Sequence, residues 1–198
     1  GVKLSANTTE NDLCGSIGIQ WIEPELRDSY TRFPENIKLL KQSDIKGVFH
    51  AHSTWSDGRN ALEELAEATR NLGYEYLGIS EHSQAAYYAN GLKPDRVKSQ
   101  WEVIDQLNSE YSEFHIFKGI EADILKDGSL DYDDELLAGF DFVIASIHSH
   151  FHLDPVQQTD RIVRALQSPF TTILGHPTGR MLMARPGYNP DLTTIIDA

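Results

Sequence analysis

The chain has 198 residues, 40% hydrophobic and 24% charged, which is enough for one well-buried domain or most of a larger one. No apolar run approaches the ~20 residues of a membrane-spanning helix, and the start, Gly1-Val2-Lys3-Leu4 and then polar, lacks the apolar core of a secretion signal, so no membrane partner and a cytoplasmic location are expected. A formal net charge of -13 excludes a nucleic-acid surface built from this chain's own Lys and Arg, but not a phosphate substrate, because bound divalent cations reverse the field inside a cleft.

From about Ser5 to Lys46 the sequence is polar and irregular, with Trp21-Ile22-Glu23-Pro24-Glu25-Leu26-Arg27 as its one apolar element. Residues 1–46 therefore read as a linker or docking arm. After Gly47 five short apolar runs follow, Val48 to His52, Tyr76 to His82, Ile116 to Glu121, Phe142 to His148 and Ile173 to His176, and each ends in an imidazole or a carboxylate. Helical patterns lie between them. One spans Ala61 to Leu72, opened by Asn60 and Glu63 as a capping box and stopped by Gly73; others run from about Asp95 to Tyr111 and from about Pro155 to Gln167, and a last begins near Asp191.

Strand and helix in regular alternation imply βαβ units and a parallel sheet, either a barrel or a doubly wound layer. About five units fit before Ala198, fewer than a closed barrel needs. The expectation is a barrel domain over residues 47–198 whose C-terminal strands are missing.

If the runs are strands, the reactive side chains sit at strand C-terminal ends, where barrel enzymes keep their chemistry. His50 and His52, two apart on one strand, share a face. The polar loop after them brings Asp57 within reach of that face. His82 follows the second run. Glu121, at the end of the third, is a carboxylate able to bridge two cations at the ~3.5–4 Å spacing of two-metal sites. His148 and His176 complete the set. His115 falls at the opposite end of its strand, and His150 falls in a loop. With Cys14 as the single cysteine, any metal is held by nitrogen and oxygen, which points to zinc, manganese, iron or magnesium.

The order His-x-His, Asp-Gly, Glu-His-Ser, Glu, His and His-Pro resembles the polymerase and histidinol phosphatase (PHP) family of metal-dependent phosphoesterases. The stretches 50–58, 72–83 and 173–180 look like the PHP domain at the C-terminus of bacterial X-family DNA polymerases, and residues 18–27 are similar to the segment that precedes it there. The resemblance implies an α/β fold of the distorted (β/α)7-type TIM-like barrel kind, apparently truncated before its last strands. It also implies two or three divalent ions (Zn, Mn or Fe). His50, His52 and Glu121 would hold the first, Glu121, His148 and His176 the second, and Asp57 with His82 the third. The family's final Asp and His have no counterpart, since no histidine follows His176. Glu81 stands where the family usually has Asp, which puts the orientation of His82 in question.

The implied reaction is phosphoester hydrolysis, as a 3′–5′ exonuclease or 3′-end processing domain in DNA repair. The DNA 3′ end would be the substrate, with polymerase domains absent from this chain supplying the basic surface. Arg59 and Arg180, beside the ligand motifs, would bind substrate phosphate. The alternatives are a free-standing small-molecule phosphatase of histidinol-phosphatase type and a catalytically degenerate, metal-stabilised structural module. An amidohydrolase is disfavoured, because Glu121 stands where many of those barrels carry a bridging lysine.

Overall fold

The computed structural model describes residues 8–27 and 38–198, and the chain divides into two units, Gly1–Lys41 and Gln42–Ala198. In the first unit the sequence reading needs a correction, because the stretch expected to be irregular holds a helix, α1 (Glu10–Ser16). Thr9 and Asp12 form a reciprocal cap: Thr9 Oγ1 accepts from the Asp12 N–H at 3.2 Å, and the Asp12 carboxylate accepts from the Thr9 N–H at 2.9 Å. No residue of α1 is buried, which is why hydrophobic periodicity did not mark it. Glu10 accepts from the Arg27 guanidinium at 2.7 Å and from the Trp21 indole at 3.3 Å, which ties the helix to the apolar segment after it. The remainder of the expected arm before Gln42 lies partly outside the described residues.

The second unit has the expected α/β architecture. Five parallel strands, β1 (Gly47–Ala51), β2 (Tyr76–His82), β3 (His115–Asp123), β4 (Phe142–Ser146) and β5 (Ile173–Leu174), pair in sequence order and form a curled half-barrel. Between and after them lie α2 (Leu62–Asn71), α3 (Pro94–Glu110), α4 (Asp134–Leu137), α5 (Pro155–Leu166) and α6 (Leu192–Ile196). Helix α4 is a single turn capped by Asp133, too short to leave a periodic signal. The cap of α2 sits one residue later than expected: the Glu64 carboxylate, not that of Glu63, accepts from the Ala61 N–H at 3.1 Å and from the Asn60 amide at 3.2 Å. Among the described residues no helix is long and apolar enough to cross a membrane.

Strand alternation divides the sheet into two faces. On the outer face Leu77, Ile79 and Ile116 pack against Leu62 and Ala66 of α2 and Ile104 of α3. Further along the sheet, Ile120, Ala122, Val143 and Ala145 pack against Val97 of α3 and Ile162 and Ala165 of α5. Each fully buried Leu or Ile contributes about 1.5–3 kcal/mol, so this face holds the unit together. The inner face begins, at the N-terminal ends of the strands, with an aromatic layer. The Phe49 ring stands edge-on to Phe142 at 4.8 Å and beside Phe117 at 5.8 Å. Gly78 and Gly119 make room for it, since a Cβ at either would collide with the Phe49 or Phe142 ring. Further up this same face lie His82 and Glu121, paired in register across β2 and β3.

Candidate metal centre

Glu121 is the centre of the inner face, with a side chain 1% exposed. Five imidazoles surround it. On Oε1 converge His176 Nε2 at 2.9 Å, His50 Nε2 at 3.1 Å and His148 Nε2 at 3.3 Å. On Oε2 converge His82 Nδ1 at 3.1 Å and His52 Nε2 at 3.5 Å. Asp57, half exposed, closes the far side, 3.7 Å from His82 Nε2 and 3.9 Å from His52 Nδ1.

Each strand delivers its side chain by a distinct local device. His148 and His176 each follow their strand by two residues, and the backbone at His176 has a positive φ of 22°. In β1 the register with β2 slips between Val48 and Ala51, so that one extra residue is accommodated, and His50 takes a φ of 66°. His50 and His52 both face Glu121, but through this bulge rather than by plain alternation. His50 lies in the distorted stretch and His52 beyond the strand's end, and they reach different oxygens of Glu121 because the bulge re-aims the first ring.

The electrostatics pull the imidazoles apart. Burial opposes ionisation of Glu121, but hydrogen bonds from His148, His176 and His50 outweigh it and hold the carboxyl well below its usual range. For His148 too burial disfavours the charge, yet the Asp123 and Glu121 carboxylates push it up to about 9. His52 and His82 are lowered, chiefly by burial, which keeps their nitrogen lone pairs free. Nδ1 of both rings is buried without a hydrogen-bond partner, and His82 Nδ1 faces Glu121 Oε2 off the line of a hydrogen bond. Ring lone pairs and carboxylate oxygens that look into the same space at these distances fit a divalent cation.

Three groups have donor atoms close enough to share an ion: His50 with Glu121 and His176, His82 with Glu121 and His148, and His52 with Asp57 and His82. This differs from the partition that the resemblance implies, in which His50 and His52 share an ion. Glu121 presents one oxygen to each of them, so the two rings fall into separate groups.

Two carboxylates change the reading of the surroundings. Glu81 does not orient His82; as its neighbour on a strand it points to the opposite face, where it is fully buried. There it accepts hydrogen bonds from the backbone N–H groups of Ser53 (3.0 Å) and Ser56 (3.2 Å), from both serine hydroxyls, and from Gln100 Nε2 (3.1 Å). It thus holds the loop that carries Asp57, and the longer Glu side chain reaches that loop. Asp123, which sequence reasoning missed, is 2% exposed and bonds His148 Nδ1, leaving Nε2 to face Glu121. Its position two residues after Glu121 on the same face was the available signal.

Arg59 and Arg180 are exposed, and neither forms an ion pair among the described residues. His115 lies at the N-terminal end of β3, beside Phe117, as expected. His150, with a φ of 54°, sits in the loop after β4 and uses its carbonyl to accept from Gln158.

The profile of the PHP domain family matches residues 49–177. The chain belongs to the PHP family. Along 192 residues it is 43% identical to the DNA polymerase/3′-5′ exonuclease PolX of Bacillus subtilis (strain 168), covering 96% of this chain and 34% of that protein. A probable phosphatase of Acetivibrio thermocellus is 28% identical over 159 residues, covering 75% of this chain and 55% of that protein. A probable phosphatase of Syntrophotalea carbinolica is 34% identical over 132 residues, covering 65% and 52%. The chain thus spans about a third of the length of the first relative and about half of the other two. All seven side chains of the cluster fall within the PHP segment, and Arg180 lies just beyond it.

Proposed function

We propose that residues 47–198 form a metal-dependent phosphoesterase domain, with His50, His52, Asp57, His82, Glu121, His148 and His176 as the ligands of two or three divalent ions. The observation that carries this reading is the buried Glu121 carboxylate ringed by five imidazole nitrogens within 3.5 Å. Bound cations would neutralise phosphoryl oxygens and lower the pKa of water towards ~7.

The chain's own residues do the rest. Glu121, with an oxygen directed at each side of the cluster, would hold two neighbouring ions. Asp123 fixes the His148 ring so that Nε2 faces the cluster, and Glu81 holds the Asp57 loop against it. Arg59 and Arg180 offer planar donors to a substrate phosphate.

The substrate we infer is a DNA 3′ end, processed by exonuclease or end-trimming chemistry in repair, with residues 1–46 joining this domain to the polymerase domains of a longer protein. The 3′-5′ exonuclease activity of the B. subtilis relative, matched over nearly all of this chain, supports it. The acidic chain favours a second reading, a phosphatase for a small phosphoester, which the probable phosphatases also support.

The test is metal content by mass spectrometry together with metal-dependent release of nucleotides from a 3′-labelled DNA strand. Bound metal with nucleotide release that weakens steeply with salt supports the DNA reading. Salt-insensitive turnover of small monoesters alone supports the second. Absence of bound metal after incubation with zinc, manganese or iron overturns both.

A further inference from the structure

Beyond His82 the chain forms a loop from Ser83 to Leu92 that is pinned at both ends. The Leu92 N–H donates to the His82 carbonyl at 2.8 Å, and the Ala85 N–H donates to the Asp131 carboxylate at 2.8 Å. Ala86 and Ala89 are buried. Asn90, in the left-handed conformation, sends its amide to the carbonyls of Trp55 at 3.1 Å and Ser56 at 3.2 Å, which joins this loop to the one that carries Asp57.

On that rigid frame Tyr87 and Tyr88 project into solvent, 85% and 63% exposed, with ring centroids 6.0 Å apart and planes at 79°. These two largely exposed aromatic rings sit between the buried Ala86 and Ala89, on the loop that leaves His82 at the edge of the polar cluster. The hydroxyl of Tyr88 has its proton held more tightly, by burial first and then by the negative charges of Asp123, Glu121 and Asp57, so it lies in the field of the cluster. Arg185 acts on it in the opposite sense, from the segment after β5.

With 17 Lys and Arg against 30 Asp and Glu, the chain repels a polyanion overall. Beyond bound metal and the two arginines, Arg59 and Arg180, affinity for a nucleic-acid strand would gain most from contacts that carry no charge, and base–aromatic stacking supplies about 1–3 kcal/mol per base.

We propose that Tyr87 and Tyr88 form a stacking platform for the terminal nucleobase of a single strand whose 3′ phosphodiester lies at the Glu121 cluster. The proposal rests on the phosphoesterase reading and narrows it to base-bearing phosphodiesters. One ring offers its face and the other its edge to the same base, which is tolerant of base identity and selects for the presence of a base.

The test uses the full chain with manganese and a single-stranded DNA carrying 2-aminopurine at its 3′ end and a phosphorothioate at the last linkage. Strands labelled at the 5′ end and free 2-aminopurine deoxynucleoside monophosphate serve as comparisons. The parent should quench the 3′ label, and Tyr87→Ala/Tyr88→Ala should lose the quench and bind about tenfold more weakly. Tyr87→Phe/Tyr88→Phe should retain both, since the rings and not the hydroxyls stack. Equal quench in the Ala variant, a stronger quench of the 5′ label, or a free monophosphate bound as tightly as the strand would each overturn the platform. Phosphate or nucleotide release is read separately from glycerol phosphate and from DNA. Quench without any release retains the platform and sinks the phosphoesterase reading, and release without quench does the reverse.

Discussion

Glu81 and His82 are neighbours in sequence, and the comparison of the two faces they occupy explains most of this molecule. Both faces bury a carboxylate: Glu81 outside, Glu121 inside, each 1% exposed or less. Outside, every oxygen of Glu81 is satisfied by serine and glutamine donors, so the charge is complete as it stands and serves to hold a loop. Inside, Glu121 is faced by five imidazoles, and the buried Nδ1 of His82 opposite Oε2 has no hydrogen-bond partner, so donor atoms are left that could hold a metal ion. The difference lies in the partners: Glu81 meets only neutral hydrogen-bond donors, whereas Glu121 meets imidazoles that can give either a proton or a lone pair.

The largest effect should come from the inner face. Glu121→Gln removes the shared charge, and metal content should fall below one ion per chain with hydrolysis reduced by roughly 10²–10³-fold; circular dichroism should show the fold retained. The outer face should answer in the opposite currency. Ile120→Ala, in the packed face behind Glu121, should cost about 2–5 kcal/mol by urea unfolding, with metal stoichiometry unchanged in the folded fraction.

Glu81→Ala tests the boundary between the faces. It strands several donors at once and should cost about 3 kcal/mol, and it should also weaken metal binding at the Asp57, His52 and His82 group more than at the other two groups. Metal titration with equal loss at all three groups would show that the Ser53–Ser56 loop does not depend on Glu81.

The inner face should also respond to pH. The folded-state pKa of His148 is raised to about 9 from an ordinary 6.5, so its contribution to stability is fully present below pH 6.5 and is lost as pH rises through about 9. Metal-free protein should therefore lose up to about 3 kcal/mol across that window, with Tm falling. Metal affinity should rise over the same range, because a cation must displace that proton. A Tm that rises with pH would break the assignment. The smallest effect expected is at Asp123→Asn, where loss of the charge beside His148 Nδ1 should lower metal affinity about 10–100-fold and flatten part of the pH dependence of stability in the metal-free protein.

The parallel arrangement was legible because each strand is a short apolar run and each helix between them carries its own period and stops. The positions of the seven titratable side chains were legible for the same reason, since parallel strands place all their C-terminal ends on one side. Helix α1 was not, because it buries nothing and leaves only the Thr9–Asp12 cap as a trace. Asp123 was not singled out, although its spacing from Glu121 puts it on the inner face, because a lone Asp near a strand end has no distinguishing pattern until His148 is seen beside it.

The sequence by itself determined the strand and helix order, the chemistry available at each strand end and the absence of a thiolate option. Local periodicity and residue type carry that information within a dozen residues. Only the tertiary structure decided which oxygen of Glu121 each imidazole meets, that a bulge turns His50 away from the strand's alternation, and that Glu81 holds the loop of Ser53 rather than His82. Those outcomes depend on register and on contacts between residues 25 to 71 positions apart, and a chain's local pattern does not encode such separations.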